Sequence, residues 1–175
     1  MKMNNIIVVN VLRFFGLVLL QGLVFKNIGV GWESFPYLHI IVFPLFILLL
    51  PLRTPKTLVI FLAFVIGLSV DFLYDTLGVH ASAAVFTGFI RSFLLKIFEP
   101  RGGYNTAYSP TIARMGLGWF LRYVSILMFA HVFFYCSVEA FTFVYIVDIL
   151  IKTIVSYMAS MVFIMIFQLL FNPLD

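Results

Sequence analysis

The stretch from Ala63 to Gly88 reads AFVIGLSVDFLYDTLGVHASAAVFTG, and a short turn joins two apolar runs in it. Small or short residues recur at every fourth position on each run: Ala63, Gly67 and Asp71 on the first, and Ala84, Gly88 and Ser92 on the second. Small residues at this spacing let two helix backbones approach closely. The stretch therefore predicts a helical hairpin with a tight internal contact; a dimer face is the alternative use of the same residues.

The rest of the chain is equally apolar. Of its 175 residues, 63% are hydrophobic and 10% are charged, whereas soluble domains have about 45–50% apolar and about 25% charged residues. This composition excludes a water-soluble domain, because the polar groups that would cover its surface are missing, and it excludes disorder. The apolar runs are also longer than the roughly 10-residue alternating strands of a membrane β-barrel. We therefore expect an all-α integral membrane protein.

Six apolar segments are candidates for transmembrane helices, each of which needs about 20 residues. They cover residues 6–25, 37–52, 57–74, 80–95, 116–138 and 142–171. The second and fourth are short for a span, and the sixth is long. The main polar loop lies at 96–115. The sequence thus predicts a single transmembrane domain over residues 1–175, with six helices.

Basic residues predict the orientation, since Lys and Arg concentrate in cytoplasmic loops. With a cytoplasmic N-terminus, the outer loops carry Lys26 alone, and the inner ends carry Lys2, Arg53, Lys56, Arg91, Lys96, Arg101, Arg114 and Arg122. We therefore predict that both termini face the cytoplasm. The net charge of +4 does not indicate nucleic-acid binding, because these residues lie between apolar runs and form no basic face.

Four charged residues fall inside the predicted helices: Arg13, Asp71, Asp148 and Lys152. Each costs about 2.5–3.5 kcal/mol on insertion scales. Asp148 and Lys152 are four residues apart on one helix face, so we expect them to pair, with Lys152 in reach of Asp71 as well. The pattern favours an internal pair that fixes helix packing. The alternative is an ion or proton path, which needs polar residues along its whole length.

The sequence contains none of the catalytic or metal-binding motifs that would fit such a chain. His39, His80 and His131 lie on different predicted helices, without the spacing of zinc ligands. Neither His-Glu-x-x-His nor Gly-x-Ser-x-Gly occurs. Cys136 is the single cysteine and cannot form an internal disulfide. We therefore expect a protein that is not an enzyme and that has no metal and no cofactor.

The pattern GLSVD at 67–71, followed after six residues by GVHA at 78–81, resembles the signature of the MreD family, the rod shape-determining membrane proteins of bacteria. Further similarity lies in Phe43-Pro44, in LLLPL at 48–52, in Ala63-Phe64, and in Arg91 followed by Pro100. The motifs cover about residues 43–100, whereas the length, the six helices and the topology match over the whole chain. We expect Asp71 and His80, next to Gly78, to hold the corner between the third and fourth helices.

The resemblance implies a scaffold of the cell-elongation complex in the bacterial inner membrane. The implied partners are MreC, RodA with its class B transpeptidase, and the MreB filament, directly or indirectly, besides membrane lipids. The cytoplasmic loop offers a filament or a regulator a place to bind. Its candidate contact residues are Glu99, Arg101, Tyr104, Tyr108 and Arg114.

The MreD fold is in turn thought to resemble the substrate-binding subunits of energy-coupling-factor (ECF) vitamin transporters. The alternative function is therefore a small-molecule binding subunit of such a transporter. In that case polar and aromatic side chains would converge on an outer pocket. The candidates for its lining are Asp71, His80, His131, Asp148 and Lys152.

Overall fold

The computed structural model describes residues 2–30, 38–105, 108–142 and 144–171, and every regular element in these ranges is helical. The first helix has three consecutive parts: α1 (Lys2–Leu19), a π-helical segment (Leu20–Phe25) and α2 (Lys26–Val30). The others are α3 (Leu45–Leu48), α4 (Lys56–Tyr74), α5 (Val79–Ile97), α6 (Ile112–Met115), α7 (Leu117–Ala140) and α8 (Ile146–Leu170).

Within the described ranges, four helical stretches are long and apolar enough to cross a membrane. They are Ile6–Ile28, Lys56–Tyr74, Leu117–Ala140 and Ile146–Leu170. Large apolar side chains such as Leu12, Phe72 and Leu169 point outward from them, as lipid contact requires. The chain is therefore an all-helical, multi-pass membrane protein, in agreement with its composition.

Helices α4 and α5 form the predicted hairpin, and their contact is the most extensive in the bundle. Gly67 lies so close to α5 that a Cβ added there would come within 2.5 Å of the Cα of Ala81. A Cβ added at Gly88 would lie 3.2 Å from the Cβ of Ala63. The tight contact between the third and fourth predicted helices is confirmed, and the small residues serve packing within one chain.

The prediction of a second helix at 37–52 is wrong. Residues 31–37 lie outside the described ranges, residues 38–44 are not helical, and α3 is a single turn. Pro44 has no backbone N–H and disfavours a helical conformation at Phe43, the residue before it. Residues 40–51 are nevertheless all buried. Irregular backbone at membrane depth is tolerated where protein surrounds it.

The buried segment 38–51 crosses the bundle from one end to the other. Ile40 lies beside the end of α4, where Tyr74 is located, because both residues bond to Gln21. Pro51 and Arg53 lie at the opposite end, beside the first turns of α1 and α4. We refer to these as the Tyr74 end and the Arg53 end. The loop after α5 is also at the Arg53 end, since the N–H of Leu52 bonds to the carbonyl of Tyr108 at 3.1 Å.

The remaining helix predictions agree with the structure to within a few residues. The third, fourth and fifth helices differ from α4, α5 and α7 by two residues or fewer at each end. The first helix continues beyond residue 25, through the π-helical segment and α2. The sixth begins at Ile146 instead of residue 142, and Phe141 ends α7 in the left-handed region with φ of 52°. The predicted loop at 96–115 includes the end of α5 and the short helix α6.

Candidate functional site

The carboxylate of Asp71, on α4, binds the first turn of α5. Its Oδ1 accepts a hydrogen bond from the N–H of His80 at 3.0 Å, and its Oδ2 accepts one from the N–H of Ala81 at 2.9 Å. The hydroxyl of Thr76 also donates to Oδ1. The Asp71 side chain is only 2% exposed. Asp71 therefore caps α5 from the neighbouring helix, in place of a local N-cap residue.

Helix α5 depends on this external cap because Gly78 precedes it. Gly78 occupies the N-cap position with φ of 82°, and no side-chain cap is made there. The first N–H groups of any α-helix lack intrahelical partners, and a negative charge is favourable next to them. Gly67 allows α4 to approach closely enough for Asp71 to reach these groups. The residues of the motif at 67–81 thus form a single packing unit, which we call the Asp71 cap.

His80 is the second buried polar residue of the Asp71 cap. Its side chain is 1% exposed, and its Nδ1 lies 3.0 Å from Oδ1 of Asp71. Its ring lies between Tyr74 and Tyr135, at centroid distances of 4.9 and 4.8 Å. The expected contact of Asp71 and His80 at the corner between the third and fourth helices is therefore present.

A second polar cluster holds the non-helical segment, and Gln21 is its centre. The amide Nε2 of Gln21 donates to the carbonyl of Ile40 and to the hydroxyl of Tyr74, at 2.8 Å each. Its Oε1 accepts from the N–H groups of Val42 and Phe43, at 2.8 and 3.3 Å. Gln21 is 1% exposed and belongs to the π-helical segment. Such segments occur frequently at functional sites.

Helix α8 supplies the other partners of the non-helical segment. The Oγ of Ser156 accepts from the N–H of His39 at 2.9 Å, and the Oγ of Ser160 accepts from the N–H of Ile41 at 2.8 Å. Buried backbone groups need such partners. Three side chains, from Gln21, Ser156 and Ser160, therefore replace hydrogen bonds that a helix would have made for itself.

The two polar clusters border one pocket of about 340 Å³ at the Tyr74 end of the bundle. Aromatic rings of Tyr74, Tyr135 and His39 line it, together with the charged residues Lys26 and Glu139. The Lys26 ammonium donates to a backbone carbonyl at the end of α4 at 2.5 Å. A volume of about 300–1,000 Å³ is typical of small-molecule pockets. The pocket is therefore a candidate binding site.

The prediction that Asp148 and Lys152 form an ion pair is wrong. Nζ of Lys152 instead donates to Oε2 of Glu139, at 2.6 Å, which joins α8 to α7. Asp148 is exposed near the start of α8. The expected contact of Lys152 with Asp71 is wrong as well, because the Asp71 carboxylate is occupied by the first turn of α5. Arg13, the fourth intramembrane charge, is 8% exposed and lines a groove between α1 and α8.

The residues proposed for an outer pocket do not converge. Of the five, His80 lines the 340 Å³ pocket, and Asp71 lies behind it. Asp148 and Lys152 line a separate depression between α7 and α8. His131 is fully buried, and its Nδ1 lies 2.8 Å from a threonine hydroxyl of α5. The five residues that were expected to line one pocket therefore lie at three separate places in the bundle.

The expected partner loop combines exposed charges with anchored tyrosines in its described parts, 96–105 and 108–115. Glu99 and Arg101 are exposed. The hydroxyl of Tyr104 donates to a backbone carbonyl of α5 at 3.0 Å, and burial raises the pKa of Tyr104 to about 12. The guanidinium of Arg114 lies 4.0 Å from the centre of the Tyr108 ring, a cation–π contact. The loop thus offers exposed charges, among them Glu99 and Arg101, to a partner.

Sequence reasoning missed Arg91 as a structural residue and counted it among the basic residues of the inner ends. Arg91 is 1% exposed, and its Nη2 donates to the carbonyl of Leu50 at 2.5 Å. The hydroxyl of Tyr123 donates to the carbonyl of Leu48 at 3.1 Å. One of these carbonyls belongs to the last residue of α3 and the other lies two residues beyond it, so the single helical turn provides no donors for them. The available signal, here and at Gln21, is a polar residue inside a long apolar run.

The contacts of Asp71 and Gln21 stabilise helix α5 and the buried non-helical segment, and the 340 Å³ pocket is suited to binding a small molecule. Asp71 and His80 direct their polar atoms at each other and at the backbone of α5. In the ranges that the structure describes, no group of three or more His, Cys, Asp or Glu side chains could hold a metal ion. Comparisons with protein-family models, with curated proteins and with solved structures found no match.

Proposed function

We propose that this chain is a non-enzymatic scaffold of the bacterial cell-elongation complex, located in the inner membrane and equivalent in role to MreD. The sequence support is the motif at 67–81. The geometry is consistent with a scaffold, because the Asp71 cap stabilises a helix corner and its polar atoms bond to the protein itself.

The observation that carries this proposal is a groove between α1 and α8, with a volume of about 930 Å³. It follows α1 and its continuation from Val9 to Ile28, a rise of about 28 Å at 1.5 Å per residue. The hydrocarbon core of a bilayer is about 30 Å thick. Gly16 borders the groove, and a Cβ added there would meet nothing within 4 Å. The groove therefore suits a membrane-spanning helix of a partner protein.

The resemblance suggests which partners to expect. MreC is the first candidate for the groove, followed by RodA with its class B transpeptidase. The loop with Glu99 and Arg101 is the proposed contact for the MreB filament, because it offers charges beyond the membrane surface.

The test compares two glycines at which an added Cβ would meet no other atom within 4 Å. Gly16→Leu should block the groove, and Gly118→Leu, which lies outside it at the start of α7, is the control. Each variant is expressed with a tag in a rod-shaped bacterium depleted of its own MreD. In mild detergent, MreC should accompany the wild type and Gly118→Leu but not Gly16→Leu, and cells with Gly16→Leu should become round. Rod-shaped cells with full MreC recovery from Gly16→Leu would overturn the proposal.

A second candidate function is small-molecule binding, and the 340 Å³ pocket is the observation that favours it. The test is mass spectrometry of small molecules released from the purified protein, followed by thermal stabilisation with a panel of vitamins. His39→Ala removes a ring from the pocket and keeps the backbone bond to Ser156. This change should abolish the stabilisation, whereas Tyr145→Ala, outside the pocket, should not. If no compound stabilises the wild type, this second function is rejected.

A further inference from the structure

A second groove lies between α1 and the connection that leads into α4, at the Arg53 end of the bundle. Its volume is about 540 Å³. Its walls are apolar and include Phe14, Phe46, Leu58 and Leu62. The rings of Phe14 and Phe46 meet edge to face, with centroids 5.4 Å apart. The groove is thus a hydrophobic channel that opens on the side of the bundle.

The length of this groove corresponds to one leaflet of the membrane. Along α1 it extends from Ile6 to Phe15, which is about 14 Å at 1.5 Å per residue. Half of a hydrocarbon core of about 30 Å is about 15 Å, and a helix needs the full thickness. A membrane-spanning helix therefore does not fit, whereas the acyl chains of a single lipid do.

One end of the groove carries a cation. Arg53 and Thr54 line it in the turn before α4, and Arg53 is exposed. In the part of the chain that the structure describes, Arg53 has no ion-pair partner. The nearby Lys56 is directed toward α5, where its Nζ lies 3.9 Å from the centre of the Phe89 ring. Among the described residues that line the groove, Arg53 is therefore the cation available to a ligand.

We propose that this groove binds an anionic phospholipid of the inner leaflet. Its acyl chains would lie along Phe14, Phe46 and Leu62, and its phosphate would accept hydrogen bonds from Arg53 and Thr54. The fork of a guanidinium matches a phosphate group well. By the positive-inside rule the Arg53 end faces the cytoplasm, and anionic lipids of that leaflet attract basic residues near the surface. This inference is independent of the scaffold proposal.

The test measures lipid binding to the whole purified protein by native mass spectrometry. The probes are phosphatidylglycerol and phosphatidylcholine with identical acyl chains. Arg53→Ala should weaken phosphatidylglycerol binding about fivefold, since one basic residue near the surface contributes about 1 kcal/mol. Arg101→Ala makes the same charge change in the loop outside the groove, and it should leave the affinity unchanged. Leu58→Trp should weaken the binding of both lipids, because the indole fills the groove.

Three outcomes would overturn the proposal. Equal losses in Arg53→Ala and Arg101→Ala would show general attraction to a basic surface. Displacement of the lipid by glycerol phosphate alone would show that the acyl chains are not bound. Cross-linking of a protein, instead of a lipid, to a photoreactive residue at position 58 would show a different occupant. A thermal unfolding curve for each variant checks that it is folded, and Leu58→Trp remains as the second probe if Arg53→Ala is unstable.

Discussion

At the level of single residues, the carboxylate of Asp71 uses each oxygen for a different N–H group of α5. Both groups are buried, so without Asp71 they would have neither water nor a helical carbonyl as a partner. An unsatisfied buried donor costs about 1–3 kcal/mol, which is large compared with the contribution of an ordinary surface residue. Gly67 contributes by its lack of a side chain, because it sets the distance over which Asp71 has to reach.

Asp71→Ala should lower the free energy of unfolding by about 2–6 kcal/mol, since two N–H groups lose their acceptor. Asp71→Asn should retain part of this stability, because its amide keeps one acceptor oxygen. The control is Asp75→Asn, which changes the same charge at a residue whose side chain is 90% exposed and whose left-handed conformation suits asparagine. Thermal unfolding in detergent measures all three. Equal stability of Asp71→Ala and the wild type would exclude a capping role.

Gly67→Ala should destabilise the protein by about 1–3 kcal/mol, because the new methyl group would overlap the backbone of Ala81 and force the helices apart. The gain in helix propensity is below about 1 kcal/mol and does not compensate. Gly16→Ala is the matched control, since its methyl group enters open space, and it should be neutral or slightly stabilising. Thermal unfolding measures the stability of both variants. A Gly67→Ala variant as stable as the wild type would mean that α4 and α5 can separate at little cost in free energy.

At the level of elements, the segment 38–44 shows how a non-helical backbone can be buried inside a membrane protein. Its N–H groups bond to Gln21, Ser156 and Ser160. The carbonyls of Leu50 and Leu48, at the end of α3, accept hydrogen bonds from Arg91 and Tyr123. Polar residues in long apolar runs therefore serve as partners for one irregular segment.

Ser160→Ala should lower the free energy of unfolding by about 1–3 kcal/mol, because the buried N–H of Ile41 loses its acceptor. Ser137→Ala is the control. The hydroxyl of Ser137 donates to the carbonyl of Phe133 within α7, so its loss should change stability by less than about 0.5 kcal/mol. Denaturation of the two variants in the same detergent compares them directly. Similar losses in both would mean that the segment does not depend on α8.

Apolar run length was sufficient to predict the positions of α4, α5 and α7, because a helix exposed to lipid has to satisfy its own backbone. The same criterion wrongly predicted a helix at 37–52, because a buried segment can take its hydrogen-bond partners from other elements. The contact of Asp71 and His80 was predictable from a motif of local spacing. The pairing of Lys152 with Glu139, and the roles of Gln21 and Arg91, depend on contacts between residues far apart in sequence, which spacing does not encode.

At the level of the whole molecule, the charges divide the bundle into two different ends. Arg53, Lys56 and Lys96 lie at the Arg53 end, whereas Asp75 and Glu139 lie at the Tyr74 end, where Lys26 and Lys152 pair with them. This division is the basis for the proposed orientation, with the Arg53 end in the cytoplasm. It also places the lipid groove and the partner loop on the same side of the membrane, and the 340 Å³ pocket on the other side.

Labelling of single cysteines tests this orientation. In a Cys136→Ala background, Leu77→Cys lies in the exposed turn after α4, and Gly102→Cys lies in the exposed loop after α5. A maleimide that cannot cross the inner membrane should modify Leu77→Cys in cells with a permeable outer layer. Gly102→Cys should react only after the inner membrane is opened. The reverse pattern would overturn the orientation and, with it, the assignment of the lipid to the inner leaflet.

The serine contacts of the segment 38–44 have a consequence for biosynthesis. His39 and Ser156 are 117 residues apart, so a ribosome working at about 5–20 residues per second completes the second partner roughly 6–23 s after the first. During that interval the N–H groups of His39 and Ile41 lack their serine acceptors. The segment can therefore adopt its final conformation only after α8 has left the ribosome. A chain truncated before α8 would therefore lose the serine acceptors of His39 and Ile41 as well as one helix.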